Sequence, residues 1–132
     1  MVTALSPLSI HPPFAPYSHG IEVPAGWRLV FCSGQVGISL DQVVPADCTG
    51  QAEICFDSIA AILAEAGMGL RDVIKLNAYV TAREHLKPYM DVRNTRFDQP
   101  YPASTLMIVS GFARPEFVVE IEAIAAAKGP NT

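Results

Sequence analysis

Two glutamates lie two positions apart in an otherwise apolar stretch near the end of the chain. They are Glu120 and Glu122, within the sequence VEIEAIA at residues 119–125. Because side chains alternate between the two sides of a strand, both carboxylates face one side and the apolar residues between them face the other. A carboxylate is costly to bury without a partner. The pattern therefore predicts either a structural hydrogen bond or general acid–base chemistry at this strand.

A serine beside a glycine offers a second kind of chemistry. Ser33 precedes Gly34, and together with His19 and Glu122 it would compose a serine–histidine–carboxylate triad. However, the sharp glycine-flanked turn that exposes a nucleophilic serine in hydrolases does not surround Ser33. The triad is therefore the weaker interpretation, and the glutamate pair keeps both a structural and an acid–base role open.

Composition and charge indicate which classes of protein and partner this sequence fits. The chain has 132 residues, of which 50% are hydrophobic and 17% are charged, and this favours one globular domain over a disordered chain. The net charge of −4 argues against nucleic acid as a partner, because such proteins usually carry a basic stripe. No apolar run approaches the length of a membrane span, and no secretory signal precedes the domain, so we expect no membrane partner.

The three cysteines show neither a metal-binding nor a redox spacing. Cys32, Cys48 and Cys55 contain no pair separated by two residues and no neighbouring histidine cluster. They read as reduced thiols that fill space as small apolar side chains. We therefore expect a cytoplasmic protein without a metal site.

The first third of the chain predicts an arm and a hairpin. Residues 1–16 are rich in proline and show no periodicity, so they are expected to form an N-terminal arm without regular structure. A strand at 17–23 and another at 27–33 are separated by the turn Pro24–Gly26, which predicts a hairpin. Gly34 and Gly37 then predict a bend.

The remainder predicts helices alternating with strands. Asp47 can cap a helix whose apolar positions recur every three or four residues and which ends at Gly67. A strand follows at 73–81, with one apolar face. A second helix begins near Leu86 to Pro88 and reaches about Phe97. The last strands are expected at 105–109 and 116–126.

This order predicts an α+β fold, a two-layer sandwich of a mixed β-sheet with two helices on one face. The succession is strand, strand, helix, strand, helix, strand, strand, with room for a further short strand before the first helix. The sheet face without helices also carries apolar residues. We expect self-association to bury that face.

Four segments resemble a known protein family, the Rid (YjgF) family. The motif APYSHG at 15–20 is followed by FCSGQ at 31–35, by AGMGLRDVIK at 66–75 and by VEIEAIA at 119–125. These matches run in order at the spacing of the family and make residues 17–127 a single Rid-like domain. The resemblance implies a chorismate-mutase-like fold and a homotrimer with clefts between its subunits.

The resemblance also implies an activity. Catalytic members of this family hydrolyse reactive enamines and imines to a carbonyl compound and ammonia, with neither cofactor nor metal. A glutamate positions or activates water, and an arginine binds the carboxylate of the small-molecule substrate, a task that suits a bidentate guanidinium. Ribonuclease activity has also been attributed to some members, but the acidic chain makes an endoribonuclease the weakest interpretation.

Site residues follow by position from the resemblance. Glu120 and Tyr17 match the catalytic positions, whereas the cleft is matched by Ser33, Gly34, Ser104, Thr105 and Met90. The sequence departs from the family where the carboxylate-binding arginine is expected, because Pro102–Ala103 is followed by Ser104 and Thr105. Arg114 is the substitute we name, with Arg93 and Arg96 as further candidates. Two interpretations stay open: a deaminase with altered specificity, or a non-catalytic trimer that binds a small molecule.

Overall fold

A four-stranded mixed sheet with two helices against one face dominates the computed structural model, which describes residues 1–129. The elements are β1 (Thr3–Leu5), β2 (Gly20–Glu22), β3 (Arg28–Val36), α1 (Cys48–Ala64), β4 (Val73–Val80), α2 (Leu86–Arg96), β5 (Ala103–Ile108) and β6 (Val119–Ala127). Short 3₁₀ turns at Leu70–Asp72 and Arg83–His85 precede β4 and α2.

The sheet has the strand order β3-β6-β4-β5, so β3 and β5 are its edges. β4 and β5 run parallel and are connected through α2, whereas the other neighbours are antiparallel. The predicted α+β class, mixed sheet and two helices are therefore confirmed. No strand lies between β3 and α1 in this described part of the chain, so the further short strand is absent there.

The predicted pairing of the first strands is wrong. β2 pairs with β1, placing Ala4 opposite Ile21, and residues 3–5 of the supposed unstructured arm thus form a strand. β3 instead pairs along its length with β6. The reason is burial, because the long apolar β6 offers β3 far more apolar surface than the three-residue β2 does. The bend predicted between Gly34 and Gly37 lies at its later end, because β3 continues through a bulge to Val36 and the chain bends at Gly37.

Both helices begin and end near the predicted residues. Asp47 accepts a hydrogen bond from the backbone N–H of Gly50 at 3.1 Å and so caps α1. After the helix, Gly67 adopts a φ of +70°, where a side chain would be strained. α2 holds Pro88 in its first turn, where a missing N–H costs nothing.

The apolar faces of α1 and the sheet form the core. The buried side chains of α1 include Ala52, Cys55, Ile59 and Leu63, at helical spacing. On the sheet, Leu76 and Ala78 of β4 and Ile121 of β6 are buried against them. This packing orients the alternate side chains of each strand toward the other face of the sheet.

That other sheet face has no helix on it, and we call it the open face. Its polar side chains include Lys75, Asn77 and Tyr79 of β4, as the alternation predicted. Three large apolar side chains on it are strongly exposed, namely Leu29 (52%), Phe31 (70%) and Met107 (53%). An apolar surface of this kind is typical of a face that another copy covers.

All three cysteines are buried and unpaired in residues 1–129. Burial raises the pKa of the Cys48 thiol to about 11 and that of Cys55 to about 12. Both thiols are therefore protonated and poorly reactive at neutral pH. Across the same residues no group of three or more potential metal ligands occurs, and no helix is long and apolar enough to cross a membrane.

A fully buried glutamine connects α1 to the loop before β6. The side-chain amide of Gln51 donates to the carbonyl oxygens of Pro45 and Glu116, both at 2.8 Å, and accepts from the N–H of Val118 at 3.0 Å. We predict that Gln51→Ala lowers the free energy of unfolding by about 2–4 kcal/mol, because three backbone groups lose the buried side chain that binds them. Urea denaturation measures the change.

Glu53, exposed on the same helix, provides the matched control. Glu53→Ala is expected to change the free energy of unfolding by less than about 0.5 kcal/mol. Equal stability of the Gln51 and Glu53 variants would contradict this role for Gln51.

Candidate functional site

A β-bulge in β3 brings a glycine backbone against the Glu120 carboxylate. Cys32 pairs with Ala123 and Gln35 pairs with Ile121, so β3 contains one residue more than β6 over this interval. A Cβ atom on Gly34 would lie 2.8 Å from Cδ of Glu120 and 3.0 Å from its Cγ. Only glycine permits this approach with Glu120 in its present position.

The Glu120 carboxylate is accessible and has no side-chain partner in residues 1–129. It projects from β6 onto the open face, half-buried, between Val36 of β3 and Tyr79 of β4. No side chain in residues 1–129 donates a hydrogen bond or forms an ion pair with its carboxylate. The structural role that the sequence left open was a carboxylate bonded to backbone N–H groups, and in residues 1–129 no backbone N–H donates to Glu120 either.

Glu122 lies on the same face and is held by a partner. Its Oε1 accepts a hydrogen bond from the Tyr79 hydroxyl at 2.8 Å. This bond, more than burial or charge, raises the pKa of Tyr79. The prediction that both glutamates face one side is confirmed, because Val119, Ile121 and Ala123 are buried on the other. The two carboxylates differ in that only Glu120 is without such a partner.

Ser33 lies in a shallow pocket on the open face, but no serine triad forms. The pocket has a volume of about 270 Å³ and is lined by Phe31, Cys32, Ser33, Asn77, Glu122, Ala123 and Ile124. His19 is not among these residues, and its Nε2 is bonded instead to the carbonyl oxygen of His11 at 2.8 Å. The described geometry thus brings Ser33 to Glu122 without the base that the triad requires.

The two residues at the expected arginine position face opposite sides of the sheet. Thr105 lies on the open face, where its hydroxyl accepts a hydrogen bond from Lys75 Nζ at 2.8 Å. Ser104 faces the helices, with its Oγ 3.5 Å from Nη1 of Arg93. Counting along the sequence could not distinguish these two environments, because the register of β5 against β4 decides them.

Tyr17 lies away from Glu120, beside the loop that precedes β5. Its hydroxyl accepts a hydrogen bond from the N–H of Phe14 at 3.3 Å. The pocket of about 430 Å³ beside it is lined by Ala4, Ser6, Tyr17, Ser18, Gln99, Pro100 and Tyr101. Ser18 fixes this segment, since its hydroxyl donates to the Tyr101 carbonyl and its N–H to the Pro102 carbonyl.

Met90 and Arg114 occupy ordinary structural environments within the single chain. Met90, on α2, packs against the hydrophobic core. Arg114, in the turn before β6, pairs with Glu116 at 3.3 Å and lies over the Phe117 ring, 4.8 Å from its centroid. The residues assigned to the site from the sequence therefore lie in separate parts of the single chain. The contact among them that bears on Glu120 is the one between its side chain and the Gly34 backbone.

Three polar residues of the open face are not among the site residues predicted from the sequence. Lys75, Asn77 and Tyr79 lie on the strand next to Glu120 and Glu122, opposite Ile124, Glu122 and Glu120 respectively. The signal was present, because these residues form the polar side of an alternating strand. The alternation indicated a solvated face, however, and only the pairing of β4 with β6 shows that the face adjoins both glutamates.

Comparison with known proteins identifies the family. A family model described as endoribonuclease L-PSP matches residues 9–127. The RutC family protein YjgH of Escherichia coli is 32% identical over 90% of this chain and 92% of its own length. A protein named 2-iminobutanoate/2-iminopropanoate deaminase from Dermatophagoides farinae is 27% identical over 85% of this chain and 86% of its own length.

The fold agrees with these matches. The crystal structure of YyfB from Yersinia pestis, a protein of unknown function of the conserved Rid family, superposes with a TM-score of 0.84. That match has 25% sequence identity and covers 96% of this chain and 98% of the other. With the sheet, the helices and the matched residues in agreement, the chain belongs to the Rid/YjgF/L-PSP family.

Proposed function

We propose that this protein is a deaminase that hydrolyses reactive enamines or imines to a carbonyl compound and ammonia. The observation that carries the proposal is the Glu120 carboxylate, half-buried against the backbone of Gly34 and without a side-chain partner. A carboxylate with these surroundings can exchange a proton with a bound water or substrate. The relative named as a 2-iminobutanoate/2-iminopropanoate deaminase supports the same reaction class.

The reaction requires one group that both accepts and donates a proton. Water adds to the carbon of the N-protonated C=N bond, and Glu120 accepts the proton that the water loses, which leaves a neutral carbinolamine. Glu120 then returns that proton to nitrogen, the C–N bond breaks as ammonia leaves, and the hydroxyl of the carbinolamine releases its proton to solvent as the carbonyl forms. An enamine enters the same sequence after protonation at carbon. Tyr17 is proposed as an orienting donor, together with the hydroxyls of Ser33 and Thr105.

A homotrimer with clefts between its subunits completes the proposed site. In one chain, Tyr17 and Ser104 do not reach Glu120, and the open face exposes Leu29, Phe31 and Met107. Packing the open face against other copies would bury these apolar side chains and bring residues of one copy toward Glu120 of another. We expect this assembly to work in the cytoplasm.

A second candidate is a non-catalytic trimer that binds a small molecule in the same clefts. The observation that favours it is the neutral Ser104 at the position where the family resemblance implies an arginine. An RNA-cleaving activity is less well supported, because the chain carries a net charge of −4. Turnover of an imine separates the first candidate from the second.

Removing the Glu120 carboxylate tests the reaction. With 2-iminobutanoate generated in situ by an amino-acid oxidase, we predict that the protein accelerates ammonia release above the spontaneous rate. Glu120→Gln should reduce that acceleration by about 100-fold or more, because the group that transfers the proton is lost. Glu122→Gln, on the same face of the same strand, is the matched control and should reduce it by less than about tenfold.

If the wild-type protein leaves the spontaneous rate unchanged for several imino acids, the deaminase proposal fails. Binding of the corresponding 2-oxo acid without turnover of the imino acid would then favour the non-catalytic candidate.

Adding one methyl group at Gly34 tests the bulge. In Gly34→Ala the new Cβ collides with the end of the flexible Glu120 side chain, which must turn away from its position. We predict a loss of deaminase activity of at least about tenfold, because acid–base catalysis depends on placement within a fraction of an ångström. The melting temperature should change little, since Gly34 is exposed and no backbone atom is the nearest obstacle. Full activity in the folded variant would contradict the placement of Glu120.

A further inference from the structure

One arginine is buried without an acidic partner. Arg93, on α2, is only 4% exposed. Its Nε and Nη2 both lie 3.3 Å from the side-chain oxygen of Asn94, and its Nη1 lies 3.5 Å from Ser104 Oγ. These are long contacts with neutral groups. A buried guanidinium is costly unless a negative charge neutralises it, so this arrangement indicates that a partner is still to be supplied.

The other two candidate arginines are already paired. Arg96 binds Asp57 with an N–O distance of 2.9 Å, and Arg114 binds Glu116 at 3.3 Å. The carboxylates in these pairs are open to solvent, with Asp57 69% and Glu116 49% exposed. Of the three cations considered as substitutes for the family's arginine, Arg93 alone has no carboxylate within salt-bridge distance in residues 1–129.

A second buried group near Arg93 also has no partner. The Tyr89 hydroxyl is buried and makes no hydrogen bond with residues 1–129. Burial raises the pKa of this phenol to about 12, and the neighbouring Arg93 and Ser104 oppose that effect only in part. The hydroxyl is therefore a neutral donor at physiological pH. The Arg93 side chain lies over the Tyr89 ring, with Cζ 5.8 Å from the ring centroid.

Donors from three residues thus converge at one place, namely the guanidinium of Arg93, the phenol of Tyr89 and the hydroxyl of Ser104. Arg93 and Ser104 line a crevice together with Pro16, Asn94, Phe97, Tyr101 and Pro102. A carboxylate accepts several hydrogen bonds through two oxygens and carries the charge that Arg93 lacks. The chemistry that fits these donors is a small organic carboxylate.

We propose that Arg93, with Ser104 and Tyr89, binds the carboxylate of a 2-imino acid substrate. This inference rests on the proposed deaminase function and names its substrate class. The guanidinium would then come from α2 instead of from residue 104, where the family resemblance implies it, and would act beside the same position of β5. Ser104 is small enough to leave room for it.

Two features of the geometry constrain how this site operates. Ser104 and Arg93 lie on the helix side of the sheet, whereas Glu120 projects from the open face, so one substrate molecule cannot contact both residues of a single chain. Arg93 of one copy would therefore act with Glu120 of another. The crevice is also too narrow for a water molecule as it stands, so its walls must separate to admit a ligand.

Binding of 2-oxobutanoate, a stable carboxylate of the product class, tests the proposal independently of turnover. Calorimetry should show that Arg93→Met weakens its affinity by about tenfold to a hundredfold, since a charge-assisted bidentate contact is lost. Arg96→Met, three residues later on the same helix, is the matched control and should bind as the wild type does. In the deaminase assay, Arg93→Met should act mainly through a raised KM.

A rescue variant separates substrate binding from folding. Arg93→Met combined with Ser104→Arg returns a guanidinium to the crevice and is expected to regain affinity, whereas a purely structural defect would persist. Arg93→Lys keeps the charge and should retain intermediate affinity. Melting temperature and oligomeric size are measured for every variant.

The outcomes distinguish this inference from the function on which it rests. A folded Arg93→Met variant with wild-type affinity and wild-type KM overturns the role of Arg93 and leaves the deaminase proposal intact. Arg93-dependent binding without any turnover supports the carboxylate site and overturns the deaminase proposal. Absence of both binding and turnover in the wild-type protein overturns both.

Discussion

The placement of the Glu120 carboxylate depends on one extra residue in β3. Without the bulge between Cys32 and Gln35, the residues beyond it would exchange faces of the sheet, because a slip of one residue reverses every side chain. The bulge keeps both ends of β3 in register with β6 and turns the Gly34 backbone toward Glu120. The carbonyl of Gln35 accepts from the Cys55 thiol at 3.2 Å and so connects this irregular segment to α1. A contact from the helix α1 in the core thus holds the bulge, and the bulge in turn places Gly34 against the Glu120 carboxylate.

Local patterns predicted the elements that depend on their own residues. The cap at Asp47, the apolar spacing of α1 and the alternation in β4 and β6 are all present in the structure. Pairing partners were harder to predict, because β1 is only three residues long and the proline-rich arm around it has no periodicity. The predicted hairpin of β2 and β3 was wrong because these strands are adjacent in the sequence, whereas the true partner of β3 is the distant β6.

In the candidate site, too, local patterns predicted which face a residue lies on but not which partners it contacts. Alternation placed Glu120 and Glu122 on one face, but it could not show that Tyr79 holds only Glu122. The three candidate arginines were equivalent in the sequence, and only their contacts separate Arg93 from the two that pair with acids. Burial and pairing are tertiary properties, so no motif revealed them. The resemblance to the family identified the missing cation, and Arg93 is the residue that we propose in its place.

The most direct test mixes equal amounts of two impaired variants and assays them at a substrate concentration far below the raised KM of Arg93→Met. If Arg93 of one copy acts with Glu120 of another, then Arg93→Met and Glu120→Gln chains assembled together form some sites in which both side chains are wild type. Random assembly predicts that about one quarter of the sites recover, so the mixture should show about one quarter of the wild-type 2-iminobutanoate deaminase activity. A mixed assembly no more active than its two parents would contradict a site shared between copies.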